Sequence, residues 1–155
     1  MKTPLLTLGW REWIELPALG LPVIKCKVDT GARTSALHAF EVKTELCHGV
    51  DMVHFAVHPV QQRDDLIVRC EAPLLDRRSV TDSGGHREQR YVITTDLIVA
   101  GQRWPVELTL TDRDSMRFRM LLGRRALAGR ALVDPSRSFV TGRRTPVYAP
   151  TDVRA

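Results

Sequence analysis

Long hydrophobic runs are missing from this 155-residue chain, and no stretch approaches the length needed to cross a membrane as a helix. Cysteine is scarce. Cys26, Cys47 and Cys70 form an odd count with no close pair, which argues against a disulfide framework and suits a reducing cytoplasm. The first residues, MKTPLLTLGWREW, hold neither the apolar centre of a leader nor a cleavage signature, so no signal peptide is expected. Lysine is rare as well, with 4 against 19 arginines, and there are no blocks of like charge and no basic helix interleaved with aromatics. Nucleic acid is therefore not an expected partner, despite a net charge of +5 and a pI near 9.6. The arginine excess belongs either to a solvated surface or to an acidic partner, since the guanidinium fork matches carboxylate and phosphate. Internal repeats and low-complexity segments are absent too.

What is present fits one folded domain. Hydrophobic residues make up 43% and charged residues 26%, enough for a single core. The domain is expected to span residues 1–141, with a loosely held, proline-dotted tail over 142–155. Strand patterning dominates. Trp10–Leu16, Val23–Val28, Ser35–Thr44, Val50–Val57, Leu66–Ala72, Tyr91–Val99 and Trp104–Leu110 read as extended segments. Ser79–Arg87 (SVTDSGGHR) reads as a glycine-rich hairpin tip or loop, and Ala100–Arg103 as a second turn. Pro105 places its strand at an edge, or at its own beginning. The apolar run Met120–Leu122 ends at Gly123, Arg124–Gly129 is the best helix, and Phe139–Val140 is a candidate last strand. Trp10, Trp13 and Trp104 read as core or sheet-edge anchors. Many short strands and one small helix point to an all-β barrel or sandwich.

The chemistry concentrates after Val23–Val28. Asp29 ends that strand and is followed by Thr30 and Gly31, a turn on which a carboxylate can face a cleft. Taken alone, Asp-Thr-Gly is also ordinary turn chemistry. Leu121–Leu122–Gly123 lies about 90 residues later and leads into the short helix, with the glycine-rich hairpin between. This order resembles the retropepsin-like half of the aspartic proteases, which are closed β-barrels with one short helix near the C-terminal end. The longer string VDTGARTSALHA (residues 28–39), with Arg90-Tyr-Val and Thr94, and MLLGR (120–124) with Leu127, is similar to the bacterial family labelled ATP-dependent zinc protease. That family is associated with the ligase that adds glutamates to a ribosomal protein, and the resemblance covers roughly residues 8–140.

The resemblance implies roles. Asp29 would be the catalytic acid, Thr30 would brace the active-site loops, and Gly31 would shape the loop that presents the carboxylate. Ala32, Arg33, Ser83, Gly84, Gly85 and Arg90 would meet substrate, the last four from a closing flap. Leu121, Leu122 and Gly123 would support the Asp29 loop from beneath. With one Asp-Thr-Gly per chain, a dyad sharing one proton needs two subunits, so a homodimer is expected. Many viral retropepsins carry an acid where Arg33 stands. A cation there could hinder the dyad, bind a substrate carboxylate such as a glutamate tail, or serve only structure. Three functions follow: an aspartic-type peptidase acting on peptides or glutamate-rich tails, an acidic-peptide binding module without hydrolysis, or the zinc hydrolase of the family label.

The residues themselves give no zinc or ATP motif. His-Glu-x-x-His and the Gly-x-x-x-x-Gly-Lys-Ser/Thr loop are both missing. His48, His54 and His58 gather near Cys47, but a strand would project His54 and His58 from one face too far apart for a compact site. No metal and no cofactor are therefore expected. His38, close to the Asp29 loop, is the better candidate for a local hydrogen bond or titration. Asp112–Asp114 and Asp134 read as turn residues.

Overall fold

The structure, a computed structural model, describes residues 4–61, 63–81, 84–112 and 118–142. Alternation of apolar and polar residues sets the first pair of strands. In β2 (Arg11–Leu16) every second residue is buried, and a 3-10 turn at Pro17–Leu19 returns the chain into β3 (Leu21–Asp29). Gly20 closes that turn at φ 72, a left-handed conformation that glycine adopts without steric cost. β2 and β3 pair antiparallel, with a register shift between Ile14 and Leu16. After the Asp29 loop come β4 (Ser35–His38) and β5 (Phe40–Cys47). β6 (Val50–Val57) follows a two-residue turn in which both His48 and Gly49 have positive φ. The long ribbon β7 (Val68–Thr81) and β8 (Arg87–Val99) is next, and Ala100–Gly101, again both at positive φ, turns β8 into β9 (Gln102–Thr111). β10 (Met120–Gly123) and α1 (Arg124–Leu127) complete the barrel.

The sheet runs β2-β3-β10-β4-β9-β8 and closes on itself through β2 and β8 at Glu15 and Ile98, giving a closed six-stranded barrel. β7, β6 and β5 continue beyond β8 as a flange. Ile14, Ile24, Leu37, Ile93, Leu97, Leu108, Met120 and Leu122 are fully buried within the closed barrel. Burial of such side chains is worth about 1.5–3 kcal/mol each. A separate two-stranded parallel sheet pairs β1 (Leu6–Leu8) with β11 (Ala131–Val133), so chain segments from both ends of the described region meet.

Several boundaries differ from expectation. Ser35–Thr44 is two strands that break at Ala39. The strand expected at Leu66–Ala72 runs on as β7 to Thr81, so Ser79–Thr81 and Arg87 belong to paired strands rather than to a loop. The ribbon there leaves the barrel and exposes much of both faces to water, which removes the apolar alternation while the backbone ladder persists. Phe139–Val140 is not a strand. Its backbone is tied instead by Phe139 N–H to the Arg11 carbonyl (2.9 Å), and the last strand is β11, whose partner lies far off in sequence. β9 is interior, yet its β4 pairing begins only at Leu108, so Pro105 sits on a locally free edge where its missing N–H costs nothing. Residues 143–155 of the expected tail lie outside the described residues.

Trp104 is buried and donates from Nε1 to the Ala126 carbonyl (3.0 Å), pinning α1 to β9. Trp13 stacks on Phe139, and Trp10 meets Phe118 edge-on. One buried acid escapes any apolar pattern. Glu12 is fully buried and accepts from Gly9 N–H (2.6 Å), Val140 N–H (3.0 Å), Thr141 N–H (3.2 Å) and the Thr141 hydroxyl (2.9 Å). It staples the start of β2 to the segment after β11.

Candidate active site

Asp29 stands where β3 leaves the barrel. Parallel pairing sets Leu122 beside Val28 and Gly123 beside Asp29, while β10 also pairs antiparallel with β4 through Met120–Leu37 and Leu121–Ala36. The Asp29 loop thus leaves β3 on one side of β10 and returns as β4 on the other. Its turn is closed by Ala32 N–H donating to the Asp29 carbonyl (3.1 Å). Gly31 N–H donates to Asp29 Oδ1 (3.1 Å), which fixes the carboxylate rotamer, and a Cβ at Gly31 would come within 3.2 Å of that oxygen. The acid is half-buried, with Thr30 and Gly31 exposed beside it.

Beneath the loop the packing is backbone on backbone. A Cβ on Gly123 would lie 2.7 Å from the Thr34 carbonyl carbon and oxygen and 3.0 Å from the Ala32 oxygen, so only glycine fits. Gly123 N–H donates to Ser35 Oγ (2.9 Å), Arg124 N–H to the Ala32 carbonyl (2.8 Å) and Arg125 N–H to the Arg33 carbonyl (3.2 Å). The Arg124 guanidinium reaches the Gly31 carbonyl at 3.3 Å. Of the three residues expected to support the loop, Gly123 packs against its backbone, while Leu121 and Leu122 pair with the flanking strands β3 and β4.

A recess of about 480 Å³ opens at Asp29, walled by Thr30, Arg124, Leu127 and β11. Among the described residues its lining contains one carboxylate, one guanidinium and no histidine or cysteine. A zinc ion there would find a single protein ligand beside a cation, so the recess does not fit that metal. Arg33 is exposed on the same loop.

The expected substrate-binding residues divide. Ser83 lies outside the described residues. Gly84 and Gly85 are exposed at the ribbon tip, Gly85 at φ 83. Arg90 is buried at the base of the ribbon, donating to Glu88 Oε2 (3.0 Å) and reaching Thr109 Oγ1 (3.5 Å). Thr109 Oγ1 in turn donates to the Ser35 carbonyl (3.2 Å), so Arg90 is linked to the Asp29 loop through two intermediaries.

The histidines separate as well. His38 is buried on β4, its Nε2 3.5 Å from exposed Asp112. His58 stacks on Phe40 and its Nδ1 lies 3.2 Å from the Leu66 carbonyl. His54 sits on the flange between Glu45 (3.3 Å) and Glu71 (3.5 Å). Ligand atoms of Glu45, Cys47 and His54 lie within 4.8 Å of one another, a grouping created by β5–β6 pairing, in which the sequence reading omits Glu45. Burial pushes the Cys26 and Cys70 thiols up to about 12, Cys26 also through the charge of Glu12, so both stay protonated at neutral pH. Asp134 caps its turn by accepting from Ser136 N–H and hydroxyl, which hold its carboxyl below the usual range.

An Asp-Thr-Gly turn that leaves one barrel strand and sits on a Leu-Leu-Gly crossing is the arrangement of the retropepsin-like aspartic endopeptidase fold. The chain belongs to that class. Within it, residues 7–144 match the RimB-like family, described as "Retropepsin-like aspartic endopeptidase RimB". Relatives named "Probable alpha-L-glutamate ligase" are 48% identical in Shewanella halifaxensis over 90% of this chain, and 48% identical in Parasynechococcus marenigrum over 86%. The matched region is 31% and 29% of those proteins, so the chain spans about a third of their length. A crystal structure of a Legionella pneumophila protein of unknown function shares the fold, with a TM-score of 0.74 and 22% identity over 88% of this chain and 98% of that one. Among the described residues, no helix is long and apolar enough to cross a membrane.

Proposed function

We propose that this chain is one half of an aspartic-type peptidase whose reacting centre forms when two copies bring their Asp29 side chains together. The observation that carries the reading is the presentation of Asp29: a half-exposed carboxylate whose rotamer is held by Gly31 N–H on a loop that Gly123 and α1 support. Two such carboxylates close together cannot both ionise cheaply, so they share a proton. The ionised one takes a proton from water, the oxygen attacks the peptide carbonyl, and the protonated one gives its proton to the departing amide nitrogen.

The β1–β11 sheet supports the dimer. Each strand keeps one edge without a strand partner among the described residues; Leu132, which lines the Asp29 recess, is 60% exposed, and Leu5, just before β1, is 48% exposed. An apolar surface with open edges is suited to a second copy.

The substrate is an acidic, glutamate-rich peptide. Arg124 lines the Asp29 recess and Arg33 is exposed on the same loop, and among the described residues neither pairs with a carboxylate. The glutamate ligase names of longer relatives support the same chemistry and a functional link to a ligase. Free Cys26, Cys47 and Cys70 fit a reducing cytoplasm. The unpaired arginines equally favour a binder without hydrolysis, and one assay separates the two. Wild type should cleave glutamate-tailed peptides with or without chelator. Asp29→Asn should lower turnover by about 10²–10⁴-fold at an unchanged melting temperature. Turnover retained in Asp29→Asn, or lost on chelation, would contradict the acid mechanism. Binding without cleavage by wild type would leave the binder.

A further inference from the structure

A second groove, of about 460 Å³, lies across α1 from the Asp29 recess. Arg125 and Arg130 line it with Trp104, Thr34 and Ser35, and Ala128 borders both cavities. Both arginines are exposed, and neither pairs with a carboxylate among the described residues. The acid on the groove wall, Glu107, is already bonded to Arg78 at 3.0 Å. The guanidinium carbon of Arg130 sits 5.3 Å from the centre of the Trp104 ring, and Trp104 is anchored to the Ala126 carbonyl. Stacking holds the guanidinium while its edge N–H groups stay free for a carboxylate. Arg125 is fixed at its backbone by the bond from its N–H to the Arg33 carbonyl, so groove and Asp29 loop share one support.

We infer that this groove is a secondary carboxylate subsite: Arg125 and Arg130 hold glutamate side chains of an acidic peptide at positions away from the bond to be cut. The inference rests on the proposed reading for its consequence in turnover but not for its binding chemistry, and the two separate in experiment. Exposed Ala128 lines both cavities, so a peptide crossing the end of α1 runs from one to the other. The substrate is then read by register: one end at Asp29, and the acidic run beyond it across α1.

The test measures binding of hexaglutamate and hexaglutamine by titration calorimetry to the full chain carrying Asp29→Asn, with and without Arg125→Ala/Arg130→Ala. Hexaglutamate affinity should fall about tenfold for each arginine lost. It should also weaken with salt. Hexaglutamine should be indifferent to the change. Arg125→Lys/Arg130→Lys, which keeps charge and stem, should recover part of the affinity, and equal melting temperatures establish that the variants fold. In the chain with Asp29 intact, the alanine pair should raise KM for glutamate-tailed peptides. Equal hexaglutamate affinity in the alanine pair, or an equal loss for hexaglutamine, would overturn the subsite. Arginine-dependent hexaglutamate binding in a wild-type chain that cleaves nothing would uphold the subsite and reject the peptidase.

Discussion

At the scale of single residues, one buried acid, Glu12, holds backbone rather than substrate. Glu12 collects three backbone N–H groups and a hydroxyl in the interior. Glu12→Ala orphans those donors, each costing about 1–3 kcal/mol when buried without a partner. The urea midpoint should fall by the equivalent of about 3 kcal/mol or more, with a smaller loss for Glu12→Gln; an unchanged midpoint would mean that water replaces the carboxylate. Nothing local announces this role. A glutamate amid REWIEL reads as the polar phase of a strand, and two of its three partner residues, Val140 and Thr141, lie 128 and 129 positions away. Asp29 is the opposite case. Its acid, its glycine and the turn that lifts it are contiguous, so its placement is readable from a dozen residues, although its partner in the reaction is not.

At the scale of elements, β10 is the part on which the site depends. It is four residues long, parallel to β3 and antiparallel to β4, and Gly123 lets the Asp29 loop press against it. Gly123→Ala forces Cβ against the backbone of Thr34 and Ala32. About 1–3 kcal/mol of stability should be lost through overpacking. Turnover should fall further than the loss of folded protein explains, because the Asp29 loop must move. Chemical denaturation paired with activity per folded chain checks this, and a stable variant with full turnover would contradict the packing. Met120–Gly123 was legible because an apolar run ending in glycine before a short helix is distinctive. β11 was not, because three residues paired across 125 positions carry no periodic signal. Ser79–Arg87 reads as a hairpin tip or loop, and its ends are paired strand instead, because water bathes much of both faces of the ribbon. Arg90 looked like a substrate contact by resemblance, yet it is buried at the ribbon's base, tied to Glu88 and Thr109. The Glu45–Cys47–His54 grouping needs the β5–β6 register, which spacing alone does not supply.

At the scale of the whole molecule, the closed barrel is complete in one chain and the proposed chemistry is not. The core closes through β2 and β8 without help, whereas the recess at Asp29 holds no second acid among the described residues. Exposed Leu132 on the β1–β11 sheet, with exposed Leu5 just before β1, is the face on which the proposed second copy would dock. The class of fold could be read from sequence because strand alternation and the Asp-Thr-Gly and Leu-Leu-Gly stretches agree. The assembly could not, since it depends on surface that only the folded chain creates. The direct measurement is hydrolysis rate against chain concentration, from well below to well above the range in which sedimentation detects association. A shared Asp29 pair predicts that activity per chain climbs with concentration and levels off as dimer forms. Constant activity per chain down to dilutions at which only monomer sediments would contradict it.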